Sequence, residues 1–161
     1  MSAICNTVRY AAYTVAMARL TSEFARAVHD LVREVRARVP SLQAAYLFGS
    51  VVSGDARPDS DIDLALLLPP AESVAIGSLT MSDLRFDLES IAGRPVDLIN
   101  LRRVSTVFQH RIVATGQPVA VADRRALAEF EMLTMSLYQK LNEERADILA
   151  DIAATGTVYQ P

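Results

Sequence analysis

Residues 42–68 read LQAAYLFGSVVSGDARPDSDIDLALLL, and the reading of this stretch decides the fold. Leu42 to Phe48 is an apolar run too short for a helix and stopped by Gly49-Ser50, which predicts a buried strand. Residues 53–60 (SGDARPDS) are dense in turn formers and predict a loop. Ile62 to Leu68 is a second apolar run, closed by Pro69-Pro70 and carrying Asp61 and Asp63 at its mouth. One strand–turn–strand unit therefore separates Gly49-Ser50 from Asp61-Ile62-Asp63 by ten residues.

Outward from this unit the periodicity is helical. From Thr21 to Val39, Phe24, Val28, Leu31, Val35 and Val39 step by three or four along one face, Thr21 or Ser22 can cap the start, and Pro40 ends the helix. Met81 to Ala92 predicts a helix capped by Ser82, with Leu84, Leu88 and Ile91 inward and Gly93 at its end; Asp83, Asp87 and Glu89 read as a cap and a solvated face. Pro95 to Leu101 predicts a third strand whose one charge is Asp97. Ser105 to Thr115 predicts a short helix with Phe108 and Ile112 inward, followed by Gly116 and either a short edge strand or an extended connector at Pro118–Val121. A long helix from about Arg124 to Ala153 closes the order, its stripe of Phe130, Leu133, Leu137 and Leu141 read as core packing. The expected class is α/β (α+β): a small mixed sheet flanked by helices, with a long C-terminal helix.

The expected organisation is an N-terminal extension over residues 1–20, with Met17 as an alternative start, one domain over 21–153 and a tail over 154–161. The stretch between Arg9 and Arg19 lacks the leading charge of a secretion signal and the length of a membrane span. A lone Cys5 excludes an intramolecular disulfide and suits a reducing cytoplasm. With 16 basic against 19 acidic residues, no excess of cations exists to grip nucleic acid or anionic lipid non-specifically, so a phosphate ligand must be met locally. His29 and His110 have no second histidine at metal-ligand spacing and read as surface residues, with approach to a ligand the alternative for His110.

The chemistry lies in the acidic residues. Side chains two apart on a strand share a face, so Asp61 and Asp63 project together, and their like charges demand a proton or a cation. A neighbouring strand bearing Asp97 would complete three hard oxygen donors, a set that suits Mg²⁺ together with substrate phosphates. Two such ions would clamp the attacking and leaving oxygens of an in-line nucleotidyl transfer. Gly49 at a strand end lets the backbone approach a phosphate, and Ser50 adds a donor.

The pattern Gly49-Ser50-x10-Asp61-x-Asp63, followed by a strand with Asp97, resembles the signature of the DNA polymerase β superfamily, and the chain is similar to its minimal nucleotidyltransferase (MNT) branch over about residues 42–121. The resemblance implies a polymerase β-like fold in which Gly49 and Ser50 hold the nucleotide's phosphates. It also implies that Asp61, Asp63 and Asp97 bind two Mg²⁺ ions, Asp97 also polarising the attacking hydroxyl. Stand-alone MNT proteins resemble the antitoxin partners of HEPN-domain ribonuclease toxins, which implies transfer of AMP from ATP to a tyrosine hydroxyl of a toxin encoded by the adjacent gene. Direct nucleic-acid contact and membrane association are not expected. One departure stands out: Ser53 occupies the place where many members carry arginine, and Arg57 is the nearby cation that would substitute. The alternatives are an antitoxin that acts by binding alone and a small-molecule transferase of the aminoglycoside-modifying kind.

Overall fold

In the computed structural model, the described residues are 22–53, 60–79 and 82–155, with side chains described for 24–146 within those ranges. The expected extension over 1–20, Arg57 and residues 156–161 lie outside them. The elements in order are α1 (Ser22–Arg38), β1 (Ala44–Phe48), α2 (Ser50–Ser53), β2 (Ile62–Leu67), α3 (Pro70–Ile76), α4 (Asp83–Ala92), β3 (Val96–Asn100), a 3₁₀ turn (Leu101–Arg103), α5 (Thr106–Thr115), β4 (Gln117–Val121) and α6 (Arg124–Thr155).

The four strands form one mixed sheet in the order β3-β2-β1-β4. The strand β1 runs antiparallel to both β2 and β4, while β2 and β3 are parallel. Alternation along each strand sorts the side chains onto two faces. Ala45, Leu47, Ile62, Leu64, Leu66, Val96 and Leu98 pack under α1 and α4. Ala44, Tyr46, Phe48, Ala65, Leu67 and Ile99 pack under α5 and the start of α6. With both faces covered, β1 and β2 read as nearly continuous apolar runs, which is why their sequence shows no polar alternation.

Local chemistry explains the boundaries. Ser82 caps α4 by accepting the Arg85 N–H, and Gly93 ends it in the left-handed region at φ 64°. Ser105 caps α5 in the same way through the Phe108 N–H. The helix α3 has no counterpart in the sequence reading; Pro70 at its first position was the available signal, since proline is preorganised there. A buried pair ties it down: Ser73 Oγ donates to Asn100 Oδ1 at 2.9 Å, and Asn100 Nδ2 donates to the carbonyls of Ser73 and Gly77.

Three side-chain expectations are corrected. On α4, Ile91 is 44% exposed because the packed arc runs through Leu84, Leu88 and Ala92 instead. Glu89 is not a solvated residue; it is largely buried against Arg85 and β3. On α6 the packed face is Phe130, Thr134 and Tyr138, the last stacked on His110 of α5 at 3.7 Å. Leu133 (55% exposed) and Leu137 (44%) sit on a flank roughly 60–100° around the helix from Thr134, beyond the reach of α5. The stripe is therefore not core packing past Phe130.

Two residues on one helix should consequently differ sharply. Phe130→Ala is expected to cost about 3–4 kcal/mol through the cavity it leaves, and Leu133→Ala less than about 0.5 kcal/mol, measured by urea denaturation.

Candidate active site

The site lies at one end of the sheet, where β1 finishes and β2 and β3 begin. Parallel pairing sets Asp63 opposite Asp97, and antiparallel pairing sets Phe48 opposite Asp63. Residues opposite one another project to the same face. Asp63 and Asp97 therefore rise side by side from the face covered by α5, next to Phe48. Phe48 is itself closed over by Phe108 in an edge-to-face contact with ring centroids 5.8 Å apart. Asp61, just before β2, and Asp97 are exposed, whereas Asp63 is half-buried.

This placement is electrostatically costly. Burial, then the charge of Asp97, then that of Asp61 raise the Asp63 carboxyl from an ordinary 3.8 to about 6. Asp63 thus stands in the field of both other acids, and near neutral pH its ionised form is opposed by its surroundings. Among the described residues, no three His, Cys, Asp or Glu side chains form a ready-made cation cage. An open, carboxylate-rich rim of this kind suits Mg²⁺, which takes one or two carboxylates and completes its shell with water and substrate phosphate.

Gly49 turns the chain out of β1 with φ 72°, in the left-handed region. A Cβ at this position would stand 2.8 Å from Asp63 Cγ and would overlap Oδ2 of the same carboxylate. The glycine is thus required twice, by its backbone angle and by the acid packed against it. From there α2 begins: Gly49 O accepts the N–H groups of Val52 and Ser53, both at 3.2 Å. Val51 anchors this single turn in the core, and Ser50 beside the glycine is partly exposed. Ser53, where the family resemblance anticipates arginine, donates its hydroxyl to Ser50 O at 3.2 Å.

All five residues singled out from the sequence therefore fall at one end of the sheet. Sequence reasoning missed the hydrogen-bonded Arg85–Glu89 pair beside Asp97; the i,i+4 spacing of opposite charges was its only sequence signal. His110 is half-buried against Tyr138, whereas His29 is exposed, as expected.

A mixed sheet that lifts neighbouring carboxylates beside a glycine turn offers oxygen donors to a cation and bare backbone to an anion. The sequence profile described as polymerase beta, nucleotidyltransferase matches residues 32–125, more than half of the chain. The chain belongs to the polymerase β nucleotidyltransferase family. It is 32% identical over 126 residues to the protein adenylyltransferase MntA of Shewanella oneidensis, covering 78% of this chain and 87% of that protein. It is also similar to a chain in a crystal structure of a toxin–antitoxin with AMP-PNP (TM-score 0.64, 31% identity, 78% of this chain and 98% of that one). A further match is to a chain in the structure of a tri-AMPylated Shewanella oneidensis HEPN toxin in complex with an MNT antitoxin (TM-score 0.61, 29% identity, 79% and 96%). Among the described residues no helix is long and apolar enough to cross a membrane.

Two predictions follow from the crowding around Asp63. Gly49→Ala is expected to destabilise the protein by at least about 1–2 kcal/mol in chemical denaturation, since it adds a Cβ at a left-handed position already in contact. The second concerns pH. A carboxyl raised from 3.8 unfolded to about 6 folded favours the folded state below pH 4 and loses that contribution as pH rises through 6. In metal-free buffer, Asp63→Asn should therefore melt near the parent at pH 4 and above it at pH 7.5; a difference of opposite sign at pH 7.5 contradicts the assignment.

Proposed function

We propose that this chain is the antitoxin of a HEPN/MNT pair, and that it silences a HEPN ribonuclease by transferring AMP from ATP to a tyrosine hydroxyl of that toxin. The observation that carries this reading is the alignment of Asp63 with Asp97, with Asp61 in the same field and Gly49 beneath. It occurs in a chain 32% identical to a protein adenylyltransferase. Similarity to chains from toxin–antitoxin structures, one with AMP-PNP and one with an AMPylated HEPN toxin, supports the donor and the partner.

Each residue then has a task set by its position. Asp61, Asp63 and Asp97 would hold Mg²⁺, two ions in the full assembly, and the metal when bound supplies positive charge to the triphosphate oxygens. Gly49 presents bare backbone to the phosphates and Ser50 a hydroxyl donor. Asp97 is exposed on the edge strand and is open to an acceptor arriving from outside. It accepts the proton of the attacking hydroxyl, whose oxygen joins the α-phosphorus as pyrophosphate departs. The acceptor comes from a separate protein, the product of the neighbouring gene, and ATP as donor places the reaction in the cytoplasm.

Incubating the protein with ATP labelled at the α-phosphate, Mg²⁺ and the neighbouring HEPN protein is expected to label the toxin. Asp61→Asn and Asp63→Asn should each reduce the label by at least about 100-fold, the scale on which loss of a preorganised electrostatic group acts. Neutralisation that survives Asp61→Asn without any label overturns transfer. It would leave antitoxin action by binding alone, the reading favoured by the uncharged Ser53 beside the glycine turn.

A further inference from the structure

Val96 lies at the start of β3, an edge strand, directly before Asp97. In a parallel pair successive residues turn their backbone groups alternately toward and away from the neighbour. Pro95 O accepts the Ile62 N–H at 3.0 Å, so Val96 directs its own N–H and C=O to the open side of the sheet. Among the described residues no strand pairs with them there. Two side chains of α4 do: Arg85 Nε donates to Val96 O at 2.9 Å, and Glu89 Oε1 accepts the Val96 N–H at 3.2 Å. Arg85 Nη2 also donates to that same Oε1 at 2.6 Å, closing the set. The two side chains are only 22% and 23% exposed, and the helix that carries them is anchored by its Ser82 cap and the fully buried Leu88.

The pair thus stands in for a missing strand at the one place where β3 is under load. Repulsion between Asp97 and Asp63 pushes the start of β3 away from β2, and an edge strand has no outer neighbour to resist it. We propose that Arg85 and Glu89 form a positioning clamp that holds Asp97 beside Asp63, and thereby sets the affinity of the carboxylate cluster for its divalent cation. This rests on the reading of Asp61, Asp63 and Asp97 as the metal-binding acids. Arg85 and Glu89 touch neither metal nor substrate; they act through the backbone of Val96.

The test compares the parent with Arg85→Ala, Glu89→Ala and Glu89→Gln, each at a temperature where melting curves show it folded. Three quantities are read: amide exchange at Ile62, Mn²⁺ binding by electron paramagnetic resonance, and the Mg²⁺ concentration giving half-maximal AMP transfer. Glu89→Ala is expected to speed Ile62 exchange by about tenfold as the strand end opens. It should weaken Mn²⁺ binding and raise the Mg²⁺ requirement by about ten- to a hundredfold, the usual scale for residues that orient metal ligands. Glu89→Gln keeps an oxygen for the Val96 N–H and should recover most of the loss. Folded Glu89→Ala and Arg85→Ala that bind Mn²⁺ as the parent does would overturn the clamp and leave the function intact. A parent that itself binds no Mn²⁺ and transfers nothing would instead overturn the proposed function, and the clamp with it.

Discussion

The arrangement depends on one constraint: the register of β2 against β3. Parallel pairing places Asp63 opposite Asp97, so two negative charges are built side by side into the end of a sheet whose interior is apolar. A slip of one residue would turn one of these acids into the core under α1 and α4, where an unpaired carboxylate is far more costly than at a half-open rim. The same slip would expose Leu64 or Leu98, which are fully buried. Apolar burial along the strands therefore holds the register, and the register holds the charges together.

Around this repulsive pair the structure is specialised. Gly49 leaves out a side chain where Asp63 needs the space. Phe48 and Phe108 close the apolar wall beside the acid, which limits its hydration and contributes to the upward shift of its carboxyl. Arg85 and Glu89 brace the strand on its unpaired side. Each of these features concentrates negative potential at a rim left open to solvent. Such a site is poorly satisfied by itself and well matched to a cation carrying a phosphate.

Much of this was legible in the chain itself. The first helix, the first three strands and the cap at Ser82 lie where periodicity and turn chemistry put them, because those signals are local. Gly49, Ser50, Asp61 and Asp63 could be grouped because a single strand–turn–strand unit carries them. Asp97 needed an assumption about strand neighbours that periodicity does not contain. The stripe on α6 was misjudged for a related reason: Phe130 and Leu133 are equally apolar, and only the location of α5 decides which of two adjacent helix faces is covered.

What the amino-acid order determined by itself was the set of elements, the glycine turn and the pair of acids at the mouth of β2. These follow from backbone preferences and from the period of apolar residues, both of which act over a few positions. Only the tertiary structure decided that β3 lies parallel to β2, that Asp97 meets Asp63, and that Glu89 turns from the solvent to grip the Val96 backbone. Those outcomes depend on contacts between distant segments, which form to bury apolar surface and to satisfy the free backbone groups of an edge strand.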